Sequence, residues 1–177
     1  MKFKDVAALI FGSTILIILV PVLMYTAALL LPYGNILPSF RWSLSLGTLS
    51  CACGLFFMLW SNYELWVKGR GGAAVIGKLK LMRETSVLVT TGPYAICRNP
   101  MHLGLILYYL GCACTYNSLV CMVFPLLAGV CAWLLAVYID EPRLRRDFAD
   151  DYAVYCAAVP RFFPKLKRLI KSYKNFY

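Results

Sequence analysis

Arg98-Asn99-Pro100-Met101-His102 and Asp140-Glu141-Pro142 stand at the two ends of Asn99 to Ile139, a stretch of 41 residues without a single Lys, Arg, Asp or Glu. Arginine offers a planar fork of donors that fits a carboxylate, and an acidic pair accepts from an ammonium or from hydroxyls. His102, the sole histidine, can take or give a proton near neutrality. A third polar element, Arg161, follows 20 residues after the acids. Together these residue types can grip anionic and cationic groups of a ligand and, where a reaction needs one, supply a general base.

The elements that must position them are legible in outline. Gly92-Pro93-Tyr94 and then Asn99-Pro100 cannot extend a helix smoothly, because proline fixes φ, removes an amide donor and biases the residue before it away from the helical region. The apolar stretch behind them is long enough for two spans of about 20 residues each. Tyr116-Asn117-Ser118 is its turn, so the spans form a tight hairpin that brings the Arg98 segment and the acidic pair side by side.

A chain of 177 residues that is 61% hydrophobic and 15% charged is too apolar for an ordinary soluble domain. The expected fold is an all-α integral membrane protein with about four transmembrane helices, roughly 6–31, 42–66, 101–116 and 119–139. Met-Lys-Phe-Lys-Asp at the start resembles the basic end of a signal peptide, but the apolar run behind it exceeds a signal's core and shows no convincing cleavage site, so it reads as a span. The whole of 1–177 is then one membrane domain. Two N-terminal spans occupy 1–67, a cytoplasmic loop 68–100, the hairpin with a surface helix 101–164, and a basic tail 165–177.

Seventeen of the eighteen basic residues fall on one side of these spans, and only Arg41 on the other. That bias places both termini, the 68–100 loop and the polar cluster in the cytoplasm. Anionic headgroups thereby account for the net charge of +10, and nucleic acid is not an expected partner. Within 142–159, Leu144, Phe148, Tyr152, Tyr155 and Val159 form one apolar helical face opposite charged residues, so this helix is expected along the cytoplasmic surface. The tail Lys165 to Tyr177 repeats the pattern of an interfacial helix. Cys51 with Cys53, and Cys112 with Cys114, point to different sides of their helices; packing, not a disulfide framework or a metal site, is their expected role. Gly69-Arg70-Gly71-Gly72 follows a membrane helix without a βαβ context and is not read as a dinucleotide fingerprint.

The ordered set Leu88-Val89-Thr90-Thr91-Gly92-Pro93-Tyr94, Arg98-Asn99-Pro100-Met101-His102-Leu103-Gly104, Asp140-Glu141-Pro142 and Val159-Pro160-Arg161 resembles the isoprenylcysteine carboxyl methyltransferase family, within the superfamily that includes the membrane phospholipid N-methyltransferases. The likeness covers about residues 64 to 164. It implies methyl transfer from S-adenosylmethionine, at the cytoplasmic membrane interface, to a lipid or lipidated acceptor. Carried over motif by motif, the cofactor-binding positions are Ser86, Val87, Leu88, Val89, Tyr94, Arg98, Asn99, Pro100, Met101, His102, Asp140 and Glu141. The catalytic candidates are Arg98, His102, Glu141 and Arg161, and no metal is implied. The family often has His where this chain has Asn99, and Tyr where it has His102. Eukaryotic isoprenylcysteine enzymes carry an arginine about one turn before the acidic pair, attributed to the acceptor carboxylate; here that stretch is Ala136-Val137-Tyr138-Ile139. An aminophospholipid N-methyltransferase is the alternative enzyme, and a non-catalytic membrane assembly factor the alternative of another class.

Overall fold

The computed structural model describes residues 11–70, 75–76, 79–80 and 85–163. The expected start of the first span and the basic tail 165–177 lie outside them. Among the described residues, three helices are long and apolar enough to cross a membrane: α1 (Phe11–Leu30), α2 (Phe40–Val67) and the 40-residue α5 (Leu119–Ala158). Between α2 and α5 come a short antiparallel ladder of β1 (Val75–Ile76) and β2 (Leu79–Lys80), a one-turn helix α3 (Pro93–Ile96) and α4 (Pro100–Tyr116). Expected spans two to four start or end close to these bounds, but α4, with 17 residues, sits at the lower limit for crossing. The ladder is a feature the loop reading of 68–100 did not contain.

Pro21 in α1 has no N–H to give to the carbonyls one turn back, and a π-helical turn, Ile15–Leu19, precedes it. The hydroxyls of Tyr108 and Tyr109 on α4 donate to the carbonyls of Ile17 and Leu16 at 2.9 and 3.1 Å. Two backbone acceptors are thereby satisfied without water, as an apolar surrounding requires.

The closest helix pair is α2 against α4, not the two arms of the hairpin. Gly47 and Gly54 on α2 face Gly111 and Gly104 on the antiparallel α4. A Cβ on Gly54 would lie 2.5 Å from the Tyr108 nitrogen, and one on Gly111 would lie 2.5 Å from the Cys51 nitrogen. Both pairs are seven residues apart, two helical turns, so they keep one face of each helix bare of side chains. Ser50 Oγ crosses the seam to the Leu107 carbonyl at 2.8 Å, and buried Ser43 donates to the Cys114 carbonyl. Cys51 and Cys112 meet there with their sulfurs 3.8 Å apart, and all eight cysteines are free.

The hairpin turn is as short as expected. Asn117 adopts φ 49° and ends α4, while its side chain makes a two-way bond with Leu37: Oδ1 accepts from the Leu37 N–H at 2.9 Å and Nδ2 donates to the Leu37 carbonyl at 3.0 Å. Asn117→Ala is expected to destabilise the fold by about 2 kcal/mol, through a left-handed alanine and two lost hydrogen bonds. Asn117→Gly, which relieves the first penalty, should recover part of it in thermal unfolding.

In one respect α5 departs from the sequence reading. The surface helix is not a separate element, because the chain stays helical from the apolar part through a π-helical turn, Ala136–Asp140, into Glu141–Ala158. Its change of direction comes instead at Ala149, whose φ of 35° and ψ of −111° break the helix. The break lets the second half turn back, and Tyr152 and Tyr155 of the expected apolar face are buried.

Candidate functional site

Each of the two prolines in Gly92-Pro93-Tyr94-Ala95-Ile96-Cys97-Arg98-Asn99-Pro100 opens a helix, a position where its missing N–H costs nothing. Gly92 supports the turn into α3 with φ 60°. Between α3 and α4 the chain is extended at Cys97 and pairs with the segment after α5. The Arg98 N–H donates to the Pro160 carbonyl at 2.8 Å, and the Asn99 N–H and side-chain amide both donate to the Arg161 carbonyl at 3.1 Å. Asn99 therefore ties the two ends of the site together through its amide, a task that needs no titratable group.

The side chains converge on a buried ion-pair network. Glu141 opens the α-helical segment after the π turn, is 6% exposed, and binds Arg161 as a fork, Nε to Oε1 at 2.6 Å and Nη2 to Oε2 at 3.0 Å. Arg98 Nη1 lies 3.2 Å from the same Oε1 and donates to the Tyr152 hydroxyl at 3.3 Å and the Cys156 sulfur at 2.8 Å. Glu141 holds the Arg161 guanidinium protonated above its ordinary range. Arg98 Nε, in contrast, is buried with no partner among the described residues.

Arg98 belongs to the wall of a cavity of about 90 Å³. Of the positions expected to bind a cofactor, Val87, Leu88, Val89, Tyr94, Arg98, Asn99, Pro100, Met101, His102 and Asp140 line it. Three expected residues do not. Ser86 is exposed and gives its N–H to the Gly69 carbonyl at 2.9 Å, while Glu141 and Arg161 stand behind Arg98 as its support. Leu65, Thr85, Arg143, Leu144 and Tyr155 complete the lining and were missed as site residues. Leu144 and Tyr155 carried a signal, since both belong to the apolar face of the last helix; nothing local marked Leu65, Thr85 or Arg143. Tyr155 donates to the Tyr94 carbonyl at 2.6 Å, fixing α3 against α5.

Asp140 faces the cavity with Arg143 as its nearest cation, 3.9 Å away and beyond hydrogen-bond length. The site thus brings a guanidinium and a carboxylate together in the lining of one largely apolar hollow. Burial pushes the Tyr94 hydroxyl well above its usual range, so it stays protonated, and raises the Cys97 thiol to about 11. Cys97 is fully buried. Its peptide is expected to remain unmodified by a maleimide at pH 8 in folded protein and to react on denaturation, as mass spectrometry would read directly.

Comparison with known proteins bears on this arrangement. The protein is 33% identical over 84 residues to the cobalt-zinc-cadmium resistance protein CzcN of Cupriavidus metallidurans, covering 48% of this chain and 38% of that protein. It is 31% identical over 86 residues to the nickel-cobalt-cadmium resistance protein NccN of Alcaligenes xylosoxydans xylosoxydans, covering 48% and 39%. The matched part thus spans about two fifths of the length of these curated relatives. A family described as phospholipid methyltransferase matches residues 42–151, which hold the glycine seam, all of the cavity lining but Tyr155, and the acidic pair. The chain belongs to the phospholipid methyltransferase family.

Proposed function

We propose that the protein is a membrane methyltransferase that takes its methyl group from S-adenosylmethionine and delivers it to a lipid or lipidated acceptor at the cytoplasmic face of the bilayer. One observation carries the reading: Arg98, whose buried Nε has no hydrogen-bond partner among the described residues, lines the same cavity as the carboxylate-bearing Asp140. An unmet buried donor costs about 1–3 kcal/mol until something accepts from it. A carboxylate answers Arg98, and an ammonium or ribose hydroxyl answers Asp140. S-adenosylmethionine carries all of these groups, and Val87, Leu88, Val89 and Met101 supply apolar wall for the remainder. The residues present fit the cofactor.

When bound, the cofactor supplies a methyl group already activated by its sulfonium. The chain's work is to hold, orient and dry the site. Glu141, Tyr152 and Cys156 pin Arg98 before any ligand arrives, so its donor direction requires no reorganisation. Alignment with exclusion of water provides most of the rate. His102 lines the cavity and is the side chain placed to take a proton from an acceptor that must lose one.

Within lipid acceptors, an aminophospholipid is favoured over a prenylcysteine carboxylate. Ala136-Val137-Tyr138-Ile139 offers no cation to a second carboxylate, and an amine needs a base such as His102. The metal-resistance roles in the relatives' names belong to those proteins. Purified protein incubated with methyl-labelled S-adenosylmethionine and total membrane lipid is expected to label an amine-headgroup lipid. Label on a prenylcysteine methyl ester would replace the acceptor class. Absence of transfer together with absence of S-adenosylhomocysteine binding would favour a non-catalytic assembly role.

A further inference from the structure

Glu64 is the only carboxylate in α2, and it is buried, with 8% of its side chain exposed near the helix's end. A carboxylate held out of water needs compensation, so its partners are informative. Oε2 lies 2.8 Å from Lys68 Nζ and accepts from the Thr91 hydroxyl at 2.9 Å, while Lys68 Nζ also donates to Thr91 Oγ1 at 2.8 Å. The three groups close a triangle between α2 and the segment leading into Gly92. Gly92 packs on the same carboxyl, since a Cβ there would lie 2.8 Å from Glu64 Cδ at a φ of 60° that already disfavours one. At the other end of the segment, the Ser86 N–H bonds the Gly69 carbonyl at 2.9 Å, and Gly69 sits against the side chains of Thr85 and Val89.

Between these two anchors lie Val87, Leu88 and Val89, which with Thr85 line one wall of the cavity. We infer that Glu64 is a positioning residue: through Thr91 and Gly92 it straps residues 85–92 against α2 in the shape that receives the cofactor. Deepening the methyltransferase reading, the inference rests on it. Glu64 touches no reacting group in this role. Its effect is on the wall, and the strap's lines of support are separate from the Arg98–Glu141 network on the opposite side of the site.

The test is S-adenosylhomocysteine titrated calorimetrically into purified protein in lipid nanodiscs, with amide hydrogen exchange of residues 85–92 read on the same samples. Glu64→Ala should weaken binding tenfold or more and speed exchange across 85–92 by a similar factor. Glu64→Gln, which still accepts from Thr91, should stay within about threefold of wild type. Thr91→Val should mimic Glu64→Ala, and the double variant should bind no worse than either single one, since both remove the same link. A merely structural acid would lower the melting temperature without this coupling in affinity, or without local exchange. If wild type binds and Glu64→Ala and Thr91→Val bind equally well with unchanged exchange, the strap assignment is wrong while the cofactor reading stands. Should wild type itself fail to bind, the cofactor reading falls and takes the strap's purpose with it.

Discussion

Glu141→Ala is expected to abolish S-adenosylhomocysteine binding and to destabilise the protein by about 3–5 kcal/mol. The carboxylate is 6% exposed and serves two guanidinium groups at once, through contacts of 2.6 and 3.0 Å to Arg161 and 3.2 Å to Arg98. Without it, Arg98 keeps a charge on a side chain only 12% exposed, with a hydroxyl and a thiol as its remaining partners. A third of Arg161 is exposed, so water screens its loss, and little of the penalty arises there. The larger share comes from the stranded Arg98. Its donor fork loses the contact that aims it, and affinity falls with stability. Glu141→Gln keeps the shape and removes the charge, so it should fold better than the alanine variant and still bind poorly. Arg98→Lys should also bind poorly, because an ammonium places a point charge where a planar fork is wanted. Calorimetric titration beside thermal unfolding in detergent separates the two effects; wild-type affinity in Glu141→Ala would remove Arg98 and Glu141 from the site.

Gly54→Val comes second, with an expected loss of about 3 kcal/mol or more of stability. Even a single Cβ at Gly54 would meet backbone atoms, the Tyr108 nitrogen at 2.5 Å and the Gly104 carbonyl at 2.6 Å, and backbone cannot rotate out of the way. Helices α2 and α4 would have to separate. Met101 and His102 on α4 and Leu65 on α2 line the cavity, so the separation reaches the site as well. Gly129→Ala is the matching control, because its Cβ would meet only Ile106 Cδ1 at 3.9 Å and a helical alanine is slightly favoured over glycine. Size-exclusion behaviour and melting temperature should fall for the first variant and hold for the second. Equal melting temperatures would refute the seam as a main support of the fold.

Much of the cavity lining was legible because its polar residues interrupt or bound a long uncharged stretch. Arg98, His102 and Asp140 announce themselves against an uncharged stretch, and two prolines mark where the polar entry breaks. Their neighbours in the cavity were harder to find. Leu65 looks like any other apolar residue of α2, and Thr85 like any loop residue; only the packing of residues 85–92 on the end of α2 makes them lining residues. Glu64, near the end of an apolar helix, turns its carboxylate inward to Thr91 and Lys68. Roles also shifted. Glu141 reads as a cofactor-binding and catalytic candidate and Arg161 as a catalytic one, and the structure puts them behind Arg98, on each other.

The sequence by itself determined the membrane character, the approximate bounds of α2, α4 and the apolar part of α5, the short turn at Asn117 and the meeting of the Arg98 segment with the acidic pair. Those are sums over neighbouring residues: apolar length, proline chemistry, and a hairpin whose two ends must return to one side. Tertiary structure alone decided that α4 packs on α2 through glycines, that α5 runs unbroken to Ala149 and then turns back, and which charges pair. Each of these depends on groups tens of residues apart in the chain meeting within a few ångströms. A local pattern does not encode that distance, because the energy that selects it comes from close packing and from desolvated charges, and both exist only once the helices have met.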